Sequence, residues 1–348
     1  MIIAGDVAIA HDDLIKFDGF PERVYQIPWC VNLEGAISPH PAPRMWGTYN
    51  SPDWIESFEG FKIGPVFTAN NHIHDTLDGI SLTYSWLSER GLAMVGAGIN
   101  SELATRAENI SSGEFDYSVL GFGWPVIGCS PVKTGRPGIN SFETKSVRSQ
   151  ARRQLSDASN HRVIILIHAN YEFEKYPQPA HRKLAMELID MGVYSVIFHH
   201  PHVVGPIERY RDRLIAYSLG NWAFSYGRFF DGKLKFPESS FHQIAVELGD
   251  SEPVIHHANF SPPSNVTYDF SERFSSRDFT LRPEFEGYSH KEYINWFRKN
   301  RIKRKGLPVY KDPDAHFGNA IRDQWVRCRQ VIIDLAAKSG LKKMRNAK

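Results

Sequence analysis

The sequence has no long apolar run. None of its segments offers the roughly 18 consecutive apolar residues of a membrane-spanning helix, and its first residues, MIIAGD, lack the basic and apolar segments of a secretory leader. The formal net charge is only +2. We therefore expect a cytoplasmic protein without a transmembrane segment.

Cysteine is scarce as well, since Cys30, Cys129 and Cys328 lie far apart in the chain. An odd number of widely spaced cysteines fits neither a disulfide framework nor a clustered zinc site, so the pattern predicts a reducing compartment. The hydrophobic fraction of 42% and the charged fraction of 23% are those of a folded globular protein, which excludes extensive disorder.

The small net charge hides an uneven distribution. Residues 291–348 contain 16 Lys and Arg against 5 Asp and Glu, so the rest of the chain is acidic. From about residue 261 the sequence is rich in Ser, Pro and aromatic residues, which indicates a linker or irregular segment. We predict a main domain over residues 1–260 and a basic, mainly helical C-terminal extension over residues 261–348.

One helix of the extension is predicted to be amphipathic. Five residues spaced three or four apart share one face: Ile321, Trp325, Cys328, Ile332 and Leu335. We expect this face to dock on the main domain.

Short runs rich in Val and Ile alternate with helix-like segments in the main domain. The runs are MIIAGD, VYQIPWCVNLE, GPVFTANNH, RVIILIH, VYSVIFHHPH and LIAYSLGN, and helical periodicity occurs in DGISLTYSWLSERG and QPAHRKLAMELIDMG. Alternation of strand and helix is typical of α/β proteins.

The predicted strands end in carboxylate, amide or imidazole side chains. In chain order these are Asp6, Glu34, Asn71 with His72, His168, His200 with His202, and Asn221. Because ligands of α/β sheets bind beyond the carboxyl ends of the strands, we expect these side chains to converge on one rim. Each alone would more often be a cap or a packed polar residue. Together they favour a site for divalent metal ions, which oxygen and imidazole ligands suit.

The segment FHHPH at residues 198–202 contains three histidines. Side chains of an extended segment alternate with period two, so His200 and His202 should share one side and His199 should point away. We predict that His200 and His202 bind metal and that His199 is a packed or hydrogen-bonded residue.

Seven segments, in order, resemble the CapA family, which is named for poly-γ-glutamate capsule synthesis. They are GDVAIA, VNLEGAIS, TANNHIHDTLDG, MVGAGIN, HANYEFEKYPQPAHRKLAMELIDMG, HHPHVVGPIERY and IAYSLGNWAF, and they cover about residues 1–250. The resemblance implies the calcineurin-like metallophosphoesterase fold. We therefore expect an α/β protein with two facing mixed β-sheets flanked by helices, in four α/β/β/α layers, followed by the helical extension.

The resemblance also implies one or two divalent ions, of manganese, iron or zinc. The ligands of the first ion would be Asp6 and His202, those of the second Asn71, His168 and His200, with Glu34 bridging the two.

Two further roles follow from the same resemblance, and two more residues are predicted to bind the substrate. His72 would be the catalytic histidine beside the substrate, and Asp75 would orient it. Asn221 and Glu172 would contact the substrate.

The chain departs from these patterns at several positions. The metallophosphoesterase pattern begins D-x-H, whereas Asp6 is followed by Val7 and Ala8, and Glu34 stands where that pattern has aspartate. CapA-like sequences share both features. Phe198 replaces the family's glycine before HHPH, and HANYE replaces a tryptophan and glycine after the middle histidine. We expect these two changes to alter the wall of the pocket.

A metal-dependent hydrolase is the function that these residues favour. A hydroxide held by the metal would attack an anionic phosphoester or a γ-glutamyl-type amide, in the metabolism of a capsule or surface polymer. Two alternatives stay open: a non-catalytic binding or assembly subunit of a capsule or polyglutamate synthesis complex, and a purely structural α/β domain.

The basic segment RKNRIKRK, at residues 298–305, bears on partners. It would attract an anionic substrate, a polymer or an anionic surface. Tyr293, Trp296 and Phe297 precede it at helical spacing, which favours packing over stacking on bases. We therefore expect an anionic small molecule or polymer as substrate and no nucleic acid partner.

Overall fold

A computed structural model describes residues 1–39, 47–157, 160–230, 232–249, 252–302 and 306–338. The strands are, in chain order, β1 (Ile2–Ala8), β2 (Lys16–Asp18), β3 (Trp29–Leu33), β4 (Ala36–Ile37), β5 (Tyr49–Asn50), β6 (Ile63–Phe67), β7 (Met94–Val95), β8 (Ala97–Gly98), β9 (Glu108–Ser112), β10 (Phe115–Gly123), β11 (Gly138–Ile139), β12 (Arg162–His168), β13 (Ser195–His199), β14 (Ile207–Tyr210), β15 (Arg213–Ala216), β16 (Asn221–Phe224), β17 (His242–Glu247), β18 (Val254–Ser261) and β19 (Asn265–Arg273). The α-helices are α1 (Glu22–Tyr25), α2 (Gly79–Glu89), α3 (Ser101–Thr105), α4 (Thr144–Asp157), α5 (Pro179–Asp190), α6 (His290–Asn300) and α7 (His316–Lys338).

Two mixed sheets contain most of these strands. A nine-stranded sheet has the order β2-β19-β18-β17-β1-β3-β6-β7, with β16 also paired to β1, and a six-stranded sheet has the order β14-β15-β13-β12-β10-β9. In the first sheet β1, β3, β6 and β7 run parallel, and in the second β10, β12, β13 and β15 do. The parallel strands of each sheet therefore end at a common edge.

Alternate side chains of the six-stranded sheet belong to different hydrophobic cores. In β12, Ile164 and Leu166 pack in the core shared with the nine-stranded sheet, whereas Ile165 and Ile167 pack in a second core with α4, α5, α6 and α7. Because successive side chains of a strand point to opposite faces, one face of this sheet contacts the other sheet and its opposite face contacts helices. The predicted arrangement of facing sheets flanked by helices is confirmed.

The local predictions are largely confirmed. The six apolar runs contain β1, β3, β6, β12, β13 and β15, and the two periodic segments form α2 and α5. Gly91 and Gly192 follow these helices with φ of +67° and +112°, the left-handed conformation that glycine adopts readily after a helix. Within the described ranges, no helix has both the length and the apolar character needed to cross a membrane.

The segment after residue 261 is not irregular as predicted. Residues 265–273 form β19, which pairs antiparallel with β18 and extends the nine-stranded sheet. Most of its side chains are partly or fully exposed, so the strand has little of the apolar alternation that sequence reasoning needs. The division into residues 1–260 and 261–348 stays a prediction.

The predicted docking face of α7 is exposed, which contradicts the expectation drawn from its periodicity. Ile321, Trp325, Ile332 and Leu335 are exposed over 57%, 58%, 66% and 60% of their surface. Cys328 is exposed as well. The helix instead contributes Val326 to the second core, because helical periodicity identifies an apolar face but not the surface that covers it.

Phe198 lies on the helix side of the six-stranded sheet. Its ring stacks on that of His181, with centroids 6.1 Å apart, and contacts Phe142 and Tyr217. The expectation that Phe198 alters the wall of the site is therefore wrong. The alternation of β13 directs Phe198 to the face opposite that of His199.

His181 is expected to make stability depend on pH. It is buried among aromatic rings, its Nδ1 has no hydrogen-bond partner among the described residues, and burial lowers its pKa to about 3 from an ordinary value of 6.5. Below pH 6.5 the unfolded chain binds a proton at this residue that the folded protein rejects, so stability is lost as pH falls. Urea unfolding at several pH values should show a shallower decline for His181→Phe, by up to about 1.4 kcal/mol per pH unit. The exposed His316→Phe is the matched control, and identical pH profiles for the two variants would contradict the prediction.

Candidate metal centre

Two buried carboxylates meet at the edge of the nine-stranded sheet. Asp6 in β1 is in register with Asn32 in the parallel strand β3, and Glu34 follows β3 directly. Gly35 then turns the chain with φ of +98°, and a Cβ at this position would lie 2.8 Å from the backbone of Thr48. Glycine is therefore required for the chain to turn immediately after Glu34.

The six-stranded sheet supplies the histidines. His168 ends β12, and its parallel neighbour β13 ends at His199. His200 and His202 follow with φ of +97° and +57°. Such conformations cost roughly 1–3 kcal/mol for residues other than glycine and are concentrated at functional sites. All four histidines are buried.

These side chains form two overlapping groups of possible metal ligands. Glu34, His168 and His200 offer atoms within 4.8 Å of one another, and so do Asp6, Glu34 and His202. Glu34 Oε1 lies 3.8 Å from His168 Nε2 and 3.7 Å from His202 Nε2. The arrangement is that of two adjacent sites that share one carboxylate, the position expected for Glu34.

The remaining predicted site residues lie around these groups. Asn71 Oδ1 is 2.8 Å from His168 Nε2, and Asn221 Oδ1 is 2.9 Å from His202 Nδ1. Glu172 is exposed at the rim, where its charge acts on Glu34 and His202. The ligand role of Asn71 and the substrate-binding roles of Asn221 and Glu172 stay predictions.

The geometric argument for the three consecutive histidines is wrong in one respect. His199 does not point away from the site: its Nδ1 lies 3.4 Å from Asp6 Oδ1. The alternation rule fails after His199 because β13 ends there and His200 and His202 adopt left-handed conformations. His199 thus places an imidazole beside Asp6. Asp6 belongs to the ligand group with Glu34 and His202, where the histidine of the D-x-H pattern is missing.

Sequence reasoning missed two asparagines that hold the site together. Asn32 Nδ2 lies 2.7 Å from Asp6 Oδ1 and 3.1 Å from His168 Nδ1, so it links the two sheets. Asn70 donates to the carbonyl of Leu33 and accepts from the backbone of Gly35 and His72. Asn32 could have been identified from the sequence, because it is a polar residue within the apolar run of β3 and a buried amide requires hydrogen-bond partners.

The pKa values of several side chains in the site are strongly shifted. Burial raises the pKa of Glu34 to about 7 against the opposing charge of His202. Burial acts to lower the pKa of His202, but the charge of Glu34 and the hydrogen bond to Asp6 outweigh it and raise the value to about 10. Burial and the charge of His200 hold the pKa of His168 well below its ordinary range, so this imidazole is neutral, the form that binds metals.

The residues present fit a divalent metal. Both carboxylate oxygens of Glu34 are buried and accept no hydrogen bond from the described residues, and Asp6 Oδ2 is buried with His202 Nδ1 3.3 Å away. Buried carboxylates of this kind are stabilised by a paired charge or by coordination to a metal. Asp6, Glu34, His168, His200 and His202 would hold the ion or ions, with oxygen and imidazole ligands that suit manganese, iron or zinc.

His72 and Asp75 lie at the solvent side of the cluster. His72 Nδ1 is 2.6 Å from Asp75 Oδ2, and its Nε2 is 3.8 Å from Glu34 Oε1. The backbone N–H of Thr48 donates to the same oxygen of Asp75 and fixes it. Burial acts to lower the pKa of His72, but the charge and hydrogen bond of Asp75 outweigh it and raise the pKa above its ordinary value.

A buried carboxylate and imidazole cluster at the edges of two facing sheets defines a candidate metalloprotein of the α/β class. The chain matches the family described as bacterial capsule synthesis protein PGA_cap over residues 29–226, which is more than half of its length. It belongs to that family.

Two similar proteins also carry capsule or polymer names. The PGA biosynthesis protein CapA of Bacillus subtilis is 30% identical over 167 residues, which are 46% of this chain and 42% of that protein. The capsule biosynthesis protein CapA of Bacillus anthracis is 26% identical over 162 residues, which are 46% of this chain and 39% of that protein. The chain thus matches less than half the length of either relative.

Similarity to solved structures is weak. The 5′-nucleotidase precursor of Thermus thermophilus superposes with a TM-score of 0.36 and 11% identity, over 71% of this chain and 45% of that one.

Metal binding should stabilise the protein. Ions that bind only the folded state raise the free energy of unfolding by about 2.7 kcal/mol at a concentration of 100 times Kd. We expect manganese or zinc to raise the melting temperature of chelator-treated protein, with elemental analysis showing one or two ions per chain. Glu34→Gln should lose this shift, because it removes the charge common to both groups.

His256→Gln is the matched control, since His256 pairs with Glu247 at 2.7 Å outside the site. It should keep the metal-dependent shift. If the Glu34→Gln protein binds as much metal as the wild type, Glu34 is not a metal ligand shared by the two groups.

Proposed function

We propose that this protein is a metal-dependent hydrolase of the CapA-like branch. The position of His72 carries the proposal. Its side chain is 18% exposed, whereas those of Asp6, Glu34 and His168 are fully buried. A group that approaches the cluster from solvent would meet the Nε2 atom of His72 directly.

In the proposed reaction, a bound metal and the side chains of the protein have different roles. When bound, a divalent ion would supply a water of lowered pKa and neutralise negative charge on the group attacked. Asp75 holds the Nδ1 side of His72, which leaves Nε2 facing the cluster. The raised pKa of His72 keeps a proton available near neutral pH, and we assign Nε2 the transfer of that proton to the leaving group.

An anionic phosphoester or a γ-glutamyl-type amide is the substrate class that we propose. Both reactions need a hydrolytic water, charge neutralisation and a proton donor for the leaving atom. The names of the relatives, which refer to PGA and capsule biosynthesis, support a substrate from capsule or surface polymer metabolism.

A second candidate is a non-catalytic binding or assembly subunit of a polymer synthesis complex. The names of the relatives favour it, because they refer to synthesis and not to hydrolysis. The two candidates differ at His72, which a subunit without catalysis does not need. In cells that lack this protein, His72→Ala would restore polymer production only if the second candidate is correct.

Turnover should depend on His72. With manganese or zinc present, we expect His72→Ala to lower kcat for a chromogenic phosphodiester or a γ-glutamyl anilide by about 10²- to 10⁴-fold, the usual range for loss of a proton donor. Metal content should not change, because His72 belongs to neither group of possible ligands. Activity of the variant is compared by steady-state kinetics.

His74→Ala is the matched control. His74 lies two residues away and contacts the carbonyl of Ser130, on another side of the same loop. Full activity in His72→Ala, or equal losses in both variants, would contradict the assignment. Absence of turnover of both substrate classes by the metal-loaded wild type would contradict the hydrolase itself.

The pH dependence of kcat tests the role of Asp75 in orienting His72. Asp75→Asn keeps a group near His72 Nδ1 but removes the charge that raises the pKa of His72. We expect the descending limb of the pH profile of kcat to move to lower pH, because the proton of His72 is then lost at lower pH. An unchanged profile in Asp75→Asn would show that Asp75 does not act through His72.

A further inference from the structure

The outward face of α7 is predominantly apolar. Six of its large apolar side chains are exposed over more than half of their area: Phe317 (82%), Ile321 (57%), Trp325 (58%), Val331 (57%), Ile332 (66%) and Leu335 (60%). Exposed apolar residues that are scattered singly need no explanation, but a contiguous patch of this kind marks an interaction surface. We call these six residues the α7 face.

The α7 face is too broad for the seam of a two-stranded coiled coil. At 100° per residue, Trp325 and Val331 mark its two edges, and the face spans about 120° of the helix and about 27 Å of its length. A coiled-coil seam uses only two positions in seven and is narrower. The breadth instead matches a helix that lies on an apolar surface.

The opposite side of α7 is fixed to the protein. Val326 packs in the second core, and Asp323 accepts a hydrogen bond from the hydroxyl of Tyr310 at 2.7 Å. Asn319 donates to the carbonyl of Asp312. The α7 face is therefore held outward by contacts on the other side of the helix.

Cations border the α7 face on both edges. Arg329 is one helical turn after Trp325, and Arg327 is one turn before Val331. Viewed down the helix axis, an arginine therefore lies just outside each edge of the apolar face. Arg327 is exposed and Arg329 half-buried. Lys and Arg next to an apolar face rich in Trp, Phe and Leu are typical of helices that lie in the headgroup region of a membrane.

The basic end of α6 approaches the same face. Trp325 Nε1 donates to the carbonyl of Gly306 at 2.6 Å. Ile302 is four positions before Gly306, so the Cα atom of this exposed residue lies within about 14 Å of that of Gly306. Arg298 and Lys299, exposed in the last turn of α6, precede it.

We propose that the α7 face and the cations around it bind the surface of an anionic lipid bilayer. The alternative occupant, a second copy of this chain, would bring the bordering arginines of both copies together. An anionic bilayer covers the apolar residues and neutralises the arginines at once. This surface is separate from the metal centre and independent of its activity.

The test is sedimentation of the full-length protein with lipid vesicles. We expect binding to vesicles of phosphatidylcholine with about one third phosphatidylglycerol, weak binding to phosphatidylcholine alone, and loss of binding at high salt. The triple variant Ile321→Gln, Ile332→Gln, Leu335→Gln should bind at least about tenfold more weakly. Arg327→Glu with Arg329→Glu should bind weakly at low salt and no longer respond to salt.

A matched control changes three exposed apolar residues elsewhere: Leu14→Gln, Leu82→Gln and Ile99→Gln. It should bind vesicles as the wild type does, and thermal unfolding should confirm that all variants are folded. Three results would overturn the proposal: no binding to anionic vesicles, equal binding by the wild type and the α7 triple variant, or equal binding to neutral and anionic vesicles. A dimer in light scattering that the triple variant abolishes, without vesicle binding, would assign the face to a second copy.

Discussion

The carboxylate of Glu34 is the point on which the candidate site depends. It is fully buried where the two sheets meet, and it belongs to both groups of possible metal ligands. A charge in this position is costly unless it is paired with a cation or coordinates a metal, and imidazoles from β12 and from the segment after β13 surround it. The turn at Gly35 and the hydrogen bonds of Asn70 fix the loop after β3 in the arrangement that places this carboxylate in the site.

The facing sheets make this arrangement possible because each sheet contributes one kind of ligand. The nine-stranded sheet brings Asp6 and Glu34, and the six-stranded sheet brings His168 and the histidines after β13. Asn32 contacts Asp6 and His168 together, so it joins the two halves of the site through hydrogen bonds. Function and packing are thus coupled: a shift of one sheet against the other would separate the carboxylates from the imidazoles.

Most of the strands and the ligand set could be predicted from the sequence, because buried parallel strands are short apolar runs and their polar ends stand out. The prediction failed where side-chain direction depends on backbone conformation or on partners far away in the chain. His199 faces Asp6, and the left-handed conformations of His200 and His202 end the alternation of β13 after it; Phe198 packs among helices that no local pattern specifies. The exposed face of α7 has the same cause, since its periodicity does not define what covers it.

The sequence by itself determined the family, the α/β class and the residue types at the candidate metal centre, because these are encoded in ordered local motifs. Only the tertiary structure decided which side chains lie around Glu34 in the two ligand groups, which asparagines join the sheets, and that Asp75 holds His72 toward the cluster. It also decided that the apolar face of α7 points outward, beside the basic end of α6. The physical reason is that these contacts join residues far apart in the chain, and their distances are fixed only when both sheets pack.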